Sequence, residues 1–315
     1  MANIISNRSE ILFLYEIENA NPNGDPLNEN RPRYDNEDSK ALVSDVRLKR
    51  TVRDYWYEYK GYNGTGEKDI FVRETKYKDN GKEFVKDGKR RAETFRKDKN
   101  TPKDEFKQNI LNRCIDIRVF GGVIPLKNDS ITLTGPVQFQ MGKSLNKTTV
   151  ETEMGTGAFA SGDGKHQTTF RTEYKLPYAL IGFNGIINEK AAQYSQMTED
   201  DRALLTEGIW EGTKSLISRS KFGQNPLLLL TVNYQDAYYL GSLRQRLNLQ
   251  TTENERNVRG TDDYVIDTTR LFDALKEVSD KVESITVRTD NRLQLTYNGA
   301  ALKITDGKIN LNELK

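Results

Sequence analysis

The chain has 315 residues, of which 35% are hydrophobic and 30% are charged, a length that allows one large domain or two small ones. Its 48 lysines and arginines are balanced by 46 aspartates and glutamates, so the net charge alone does not indicate a nucleic-acid-binding protein. The single cysteine, Cys114, excludes an internal disulfide and a multi-thiolate metal site, and the lack of a signal peptide or long apolar run predicts a cytoplasmic protein without a membrane partner.

The first predicted elements are a strand and a helix. Residues 11–17 are apolar except for Glu16 and predict a buried strand that runs into a turn-rich segment, 19–26. Ser44 is placed to cap a helix, whose apolar positions recur on one face: Leu48, Val52, Tyr55, Trp56 and Tyr59. The basic residues predicted on the opposite arc are Arg47, Lys49, Arg50 and Arg53.

That basic arc predicts a surface able to neutralise several backbone phosphates. The ordinary alternative is a solvated helix face. The phosphate interpretation is strengthened by further arginines that we expect near the same sheet edge: Arg31, Arg33, Arg113 and Arg118.

The middle of the chain alternates predicted strands with polar insertions. Residues 68–107 carry many basic residues and turns and few apolar ones, so we predict an inserted, partly mobile basic lobe. Two strands are predicted over 114–122 and 131–139. Residues 142–175 are polar and glycine-rich and predict a projecting hairpin, which precedes a further strand over 176–183.

The C-terminal half begins with a predicted helix that runs from a capping box at Thr198 and Asp201 to about Ser218. Two glycines one turn apart in it, Gly208 and Gly212, should allow this helix to approach the sheet closely. A central strand over 226–234, a helix over 269–280 and a hairpin around 289–291 complete the predictions.

The order strand, helix, strand, strand, helix, strand predicts an α+β fold of the ferredoxin-like or RNA-recognition-motif class with one core. Segment 116–122 has only a distant likeness to the aromatic RNA-binding signature of that motif, so we do not expect bases to stack on the sheet face.

Signals for catalysis are scarce. His166 is the only histidine, the Gly-Lys-Ser at 142–144 lacks the earlier glycine of a P-loop, and the glycines at 155–160 do not follow a buried strand. Magnesium could in principle bind the aspartates at Asp25, Asp35, Asp45 and Asp116. Helix capping by Asp45 and turn formation at Asp25 explain such residues better, and we predict no enzyme, no metal and no cofactor.

Several segments resemble a known protein family. They are 19–26 (NANPNGDP), 44–55 (SDVRLKRTVRDY), 116–121 (DIRVFG), 134–138 (TGPVQ) and 143–145 (KSL). Together they resemble the repeated backbone subunit of type I CRISPR surveillance complexes, the seventh Cas family in its Csh/Csd branch, with the type I-B version fitting best. The likeness extends from about residue 10 to 235.

The resemblance implies a hand-shaped, non-enzymatic scaffold. Its RNA-recognition-motif-like palm would comprise residues 1–60, 108–141 and 176–250, its fingers 61–107 and its thumb hairpin 142–175, with a helix and hairpin in 251–315 completing the palm. Copies would stack head to tail along a CRISPR guide RNA, which pairs with target DNA. The other implied partners are the end-capping, large, small and guide-processing subunits of a type I complex.

The resemblance also nominates residues for RNA binding. The basic helix supplies Arg47, Lys49, Arg50 and Arg53, and the first loop supplies Asn21 and Asn23 beside Arg33. Met154 would be the apolar thumb residue between bases, flanked by Lys143, Arg171 and Lys175. Two alternatives remain: a type III-like backbone subunit that cleaves target RNA with a loop aspartate such as Asp25, and a general single-strand-binding protein.

Overall fold

The computed structural model describes residues 3–98, 100–126, 129–156 and 170–314. The N-terminal part contains, in chain order, β1 (Ser9–Ala20), β2 (Gly24–Asp25), β3 (Arg31–Pro32), β4 (Tyr34–Asp35), β5 (Lys40–Val43) and α1 (Asp45–Tyr59). The next part contains β6 (Lys76–Asp79), β7 (Lys82–Val85), α2 (Gly88–Glu93), α3 (Lys103–Arg113), α4 (Ile115–Phe120), β8 (Gly121–Pro125) and β9 (Ser130–Thr134).

The second half of the chain supplies the remaining elements. The first of them are β10 (Val137–Phe139), β11 (Gly142–Ser144), β12 (Glu151–Thr156), β13 (Phe170–Ile187), α5 (Glu189–Ser195), α6 (Glu199–Lys214) and β14 (Gln224–Tyr234). The C-terminal elements are β15 (Asn248–Gln250), β16 (Val265–Asp267), α7 (Thr269–Glu277), β17 (Val282–Thr289), β18 (Leu295–Tyr297), β19 (Ala300–Leu302) and β20 (Gly307–Lys308).

Ten of these strands form one large sheet. Its order is β20-β17-β14-β1-β13-β11-β5-β4, and β10 and β12 pair with other parts of β13. All of these pairings are antiparallel. At the centre, Phe13 of β1 lies opposite Phe183 of β13 and Leu229 of β14. The predicted α+β class and the strands over 11–17, 176–183 and 226–234 are confirmed.

Both faces of the central strands are buried. On one face Phe13 and Tyr15 belong to an apolar cluster with α1 and α6. On the other face Leu12 and Leu14 belong to a second cluster, which includes Phe272 of α7 and residues from the small sheet of β15, β16, β18 and β19. Because alternate residues of a strand point to opposite faces, burial on both sides explains why Ile11 to Tyr15 form an unbroken apolar run in β1.

The prediction of a single core is therefore wrong, and the inserted lobe contains a third cluster. Phe71, Phe95, Phe106 and Ile110 are buried there together with Ile131 of β9. These aromatic residues are widely spaced along a basic sequence, so no local apolar run indicates that they meet.

The strand predicted over 114–122 is also wrong, because most of this segment is helix α4. Its apolar side chains are buried on all sides, and a short run of that kind does not distinguish a helix from a strand. The helix ends at Gly121, which has a φ of 66°. A Cβ atom at Gly121 would lie 2.3 Å from the backbone nitrogen of Gly135, so both the φ angle and the close packing require glycine here. The strand predicted over 131–139 is interrupted by Pro136 into β9 and β10, which belong to different sheets.

Helix α6 has the predicted capping box, but it ends at Lys214 and its glycines pack against a helix instead of the sheet. A Cβ atom added at Gly208 would lie 3.0 Å from Val52, and one at Gly212 would lie 3.1 Å from the carbonyl oxygen of Thr51. The absent side chains thus bring α6 close to α1.

The C-terminal helix is confirmed as α7, whereas the hairpin predicted around 289–291 is wrong. The strand before it, β17, pairs with β14 and β20 in the large sheet. The strand after it, β18, pairs with β16 and β19 in the small sheet. A turn sequence fixes a reversal of the chain, but long-range contacts decide which strands pair.

Strand β13 is continuous from the projecting hairpin to the middle of the large sheet. Its residues Phe170 to Lys175 pair with β12, and from Leu176 onward it pairs with β1. The hairpin predicted over 142–175 therefore starts later, since β11 belongs to the large sheet. Residues 157–169, including His166 and most of the glycine-rich turn at 155–160, lie outside the described residues. None of the described helices is both long and apolar enough to cross a membrane.

Candidate nucleic-acid interface

Helix α1 packs against the sheet and against α6. The hydroxyl of Ser44 accepts a hydrogen bond from the backbone N–H of Arg47 at 3.2 Å, which confirms the predicted cap. The Trp56 indole donates to the carbonyl oxygen of Leu204 at 2.9 Å. The predicted apolar face is buried except for Tyr59, which is exposed.

Arg53 is held inside the protein and does not project from the predicted basic arc. Its Nε donates to the Asp116 carboxylate at 3.0 Å, and its side chain is only 12% exposed. Its guanidinium also lies over the ring of Phe120. Asp116 is fully buried and accepts two further hydrogen bonds, from the backbone N–H groups of Phe71 and Val72 at 2.7 and 3.0 Å. This ion pair therefore joins α1 and α4 to the inserted lobe.

Two other basic residues predicted on the arc of α1 are also paired with carboxylates and do not form a free cationic surface. Lys49 is 13% exposed and lies 3.0 Å from the carboxylate of Asp45. Arg50 is 64% exposed and pairs with Asp54 at 2.6 Å. Lys49 and Arg53 also lie over the ring of Phe120 in α4. The wide cationic arc is therefore wrong, and Arg50 is its one exposed member.

Arg47 and Lys221 form a partly buried cationic pair beside the first loop. Arg47 lines a small space next to Tyr15, and its pKa is lowered by burial. The Lys221 ammonium donates to the backbone carbonyl of Asn21 at 2.5 Å. Burial, with a smaller contribution from the Arg47 charge, lowers the pKa of Lys221 to about 8. Within the described part of the chain neither residue forms a salt bridge, and Lys221 is a residue that the sequence patterns did not single out.

We expect Lys221→Met to stabilise the protein at pH 7 and to abolish part of its pH dependence. The pKa of Lys221 falls from 10.5 to about 8 on folding, so between these values the unfolded chain binds more protons and stability rises with pH. One pKa unit corresponds to about 1.4 kcal/mol. Allowing for partial solvent screening, we expect a gain of about 1–2 kcal/mol at pH 7.

The measurement is the free energy of urea unfolding from pH 7 to 10. Wild type should gain stability over the upper part of this range relative to Lys221→Met. The exposed Lys214→Met at the end of α6 is the control and should follow wild type. Parallel pH profiles for wild type and Lys221→Met would show that the amine is not desolvated.

The asparagines of the first loop shape the backbone. The side-chain amide of Asn21 donates to the carbonyl of Asn30 at 2.7 Å. The side-chain oxygen of Asn23 accepts from the backbone N–H of Ser44 at 2.8 Å. The loop is consequently attached to the start of α1, where Arg47 lies.

This loop forms one side of an open cavity of about 530 Å³. Arg31 and Arg33 line it together with Met141. Arg33 lies 3.5 Å from the Asp25 carboxylate, and the Arg31 guanidinium lies 4.2 Å from the centre of the Tyr174 ring. The expected grouping of four arginines is only half correct, because Arg113 and Arg118 lie elsewhere: Arg113 donates to the carbonyl of Gly66 and Arg118 binds Asp201 at the start of α6.

The projecting hairpin carries an exposed methionine between ion pairs. Met154 is 75% exposed on β12. At the base of the hairpin, Lys175 pairs with Glu153 at 2.6 Å, and Arg171 pairs with Glu173 at 3.2 Å. The described part of the hairpin therefore presents an apolar side chain with positive charges that are already partnered.

Lys143 of β11 is likewise already paired with carboxylates of the protein. It lies 3.0 Å from the Asp35 carboxylate and also contacts that of Asp38. The ion pair with Lys143 lowers the pKa of Asp35. Among the nominated lysines and arginines, Arg47 is the one without a salt bridge to another described residue. A phosphate that binds the other cations must compete with carboxylates of the protein itself.

The aspartates considered as metal ligands each have another role. Asp25 accepts from the backbone N–H of Leu27, and Asp35, Asp45 and Asp116 pair with Lys143, Lys49 and Arg53. No three histidine, cysteine, aspartate or glutamate residues converge as a metal site among the residues described. Cys114 is buried, and burial raises the pKa of its thiol.

Comparison with known proteins gives three consistent results. The family model described as "CRISPR-associated protein Cas7" matches residues 7–269. A curated relative with the same description, from Haloferax volcanii, is 29% identical over 98% of this chain and 94% of its own length. A chain in a solved "CRISPR RNA-guided surveillance complex, pre-nicking" has a TM-score of 0.53 at 15% identity, over 92% of this chain and 94% of that one. A chain in a second solved "CRISPR RNA-guided surveillance complex" has a TM-score of 0.50 at 13% identity, over 93% and 95% of the two chains.

Proposed function

Because this chain belongs to the Cas7 family of CRISPR-associated proteins, we propose that it is a guide-RNA-binding backbone subunit of a type I interference complex, most like type I-B. The observation that carries the proposal is the family match over residues 7–269, which includes the central strands β1, β13 and β14 and the helices α1 and α6. The subunit holds the guide RNA, and base pairing between the guide and target DNA supplies sequence recognition.

The palm of this subunit is an RNA-recognition-motif-like unit. Support comes from the strand order β14-β1-β13-β10 and from helices α1 and α6, which both pack on the same face of those strands. Residues 61–107 are the fingers, the part of 142–175 that follows β11 is the thumb, and 251–315 are an addition that completes the palm.

The guide RNA follows the loop-bearing edge of the palm and does not cross the sheet face. The second face is filled by residues such as Leu271 and Phe272, so no surface is left there for stacked bases. The edge formed by β5 and β11 carries Lys143 and adjoins the cavity with Arg33. The residues that bind the phosphates, or that position the groups binding them, are the following: Asn21, Asn23, Arg33, Arg47, Lys49, Arg50, Arg53, Lys143, Arg171 and Lys175.

The RNA phosphates contact the salt-bridged cations by replacing the carboxylates that pair with them in the free protein. Exposed ion pairs such as Lys175 with Glu153 are weak in water, so a phosphate can replace the carboxylate at little cost. Arg53 and Lys49 are the least accessible members of the set, and they act mainly by positioning α1. Met154, exposed on the hairpin, inserts between bases as an apolar wedge.

Copies of the subunit stack head to tail along the guide, and the other subunits of the complex bind at the ends and along the side of this filament. The scaffold role is favoured over RNA cleavage because the carboxylate of Asp25 is engaged by a backbone N–H and lies close to Arg33. A nuclease would require that carboxylate to hold a divalent cation.

The test is purification of the native particle from its host, followed by mass measurement and sequencing of its RNA. We expect several copies of this chain on RNA of uniform length, and no cleavage when the particle meets complementary RNA with Mg²⁺. Cleavage that is lost in Asp25→Asn would support the type III-like alternative. A heterogeneous RNA population without partner subunits would support a general single-strand-binding protein.

A further inference from the structure

A second cavity lies between the edge of the large sheet and the C-terminal region. Its volume is about 340 Å³. Lys40 of β5 and Lys143 of β11 line one side, and Arg244, which follows β14 in the chain, lines the other. The acidic residues in its lining are Asp38 and Glu255. Three cations from distant parts of the sequence therefore converge on one space.

Two of these cations are held by neutral groups. The Lys40 ammonium donates to the backbone carbonyl of Leu145 at 2.7 Å. The Arg244 guanidinium donates through Nη1 to the carbonyl of Gly182 at 2.9 Å and to that of Met141 at 3.3 Å. A carbonyl oxygen orients a cation without neutralising its charge. Both groups are therefore placed in advance, and among the described residues neither has a carboxylate in salt-bridge contact.

The two carboxylates of the lining are already engaged. Asp38 contacts Lys143, and Glu255 accepts a hydrogen bond from the backbone N–H of Lys147 at 2.7 Å. The pKa of Lys40 is lowered chiefly by burial and further by the charges of Lys143 and Arg244, against a raising effect of Glu255 and Asp38. Burial also lowers the pKa of Arg244. Both shifts are caused mainly by removal of the cations from water, and the lining places three cations against two carboxylates.

We propose that this cavity binds a backbone phosphate of the guide RNA between Lys40 and Arg244, so that the C-terminal region takes part directly in holding the nucleic acid. The proposal rests on the function proposed above. RNA is favoured over an acidic protein segment because Arg244 is bound to the carbonyl of Met141, and Met141 also lines the cavity that contains Arg33. The two cavities thus adjoin along one edge of the sheet.

The test compares binding of a fluorescent single-stranded RNA by wild type and by Lys40→Gln/Arg244→Gln over a series of salt concentrations. Loss of one phosphate contact should lower affinity about tenfold at moderate salt. It should also reduce the slope of log affinity against log salt by about 0.7. The control is Lys281→Gln/Lys308→Gln, which removes two exposed lysines at the opposite edge of the sheet and should bind like wild type.

Other outcomes decide against the proposal. An unchanged affinity and slope in Lys40→Gln/Arg244→Gln would overturn it while leaving the proposed function intact, whereas a wild type that binds no RNA would overturn both. Intact RNA binding with loss of co-purifying subunits would assign the cavity to a protein carboxylate. If the double variant does not fold, two other variants test the proposal. Lys40→Gln alone should lose RNA affinity. The charge-conserving Lys40→Arg/Arg244→Lys should keep the wild-type slope of log affinity against log salt.

Discussion

A chain ended after residue 269, where the family match stops, is expected to be insoluble. Removal of β17 and β20 would turn β14, an interior strand of the large sheet, into an unpaired edge strand. It would also expose Leu12 and Leu14, whose face is covered by the C-terminal region. An exposed apolar edge of this kind favours aggregation.

The size of the effect follows from the buried side chains that the truncation removes. They are Leu271, Phe272, Leu275, Ile285, Val287, Leu293, Leu295 and Tyr297. Burial of one such side chain contributes roughly 1.5–3 kcal/mol, and the net stability of a domain is roughly 5–15 kcal/mol. The summed loss is therefore as large as, or larger than, the net stability of a domain.

The measurement is the soluble fraction after expression, with circular dichroism of any soluble protein. A chain ended after Lys308, which retains β20, is the control and should be soluble and folded. Cooperative unfolding of soluble 1–269 would show that the family-matched segment is a complete folding unit and that the second cluster is dispensable.

Reversal of charge at Arg53 is expected to unfold the inserted lobe or the whole domain. Arg53→Glu would place a second carboxylate beside Asp116, which is fully buried. Loss of one partner from a buried ion pair typically costs about 3–5 kcal/mol because the remaining charge is uncompensated. The helical spacing of the sequence alone places Arg50 and Arg53 on one surface and predicts that reversal of both weakens RNA retention without unfolding. The buried ion pair of Arg53 predicts the opposite for stability.

Arg50→Glu is the matched control. Arg50 is exposed and its partner Asp54 lies on the same helix, so the stability change should stay within about 0.5 kcal/mol. Urea unfolding of the two single variants separates the cases, and RNA affinity is then measured for Arg50→Glu alone. Equal stability of the two variants would contradict the structural role assigned to Arg53.

Elements with local signals could be predicted from the sequence. The Ser44 cap, the capping box of α6 and the apolar runs of β1, β13 and β14 depend on residues a few positions apart, and the structure confirms them. Helix α4 could not be identified, because six residues with apolar side chains on all sides have no distinctive period.

The candidate interface was less predictable, since its charges are partnered over long distances. Asp116 is 63 positions from Arg53, and Lys143 is 108 positions from Asp35. A helical wheel counts each cation but omits the carboxylate that faces it in the fold. Lys221, Lys40 and Arg244 have no local motif, and only the folded chain brings them to the first loop and the second cavity.

The unbroken course of β13 makes the hairpin and the sheet one mechanical element. Six residues of the strand, Phe170 to Lys175, extend beyond the point where β1 begins to pair, and at about 3.3 Å per residue they form an arm of about 20 Å. No hinge separates this arm from the core, because the same strand continues to Ile187. A sideways force on the hairpin is therefore transmitted along β13 as a torque on the centre of the sheet, and the sheet responds by changing its twist.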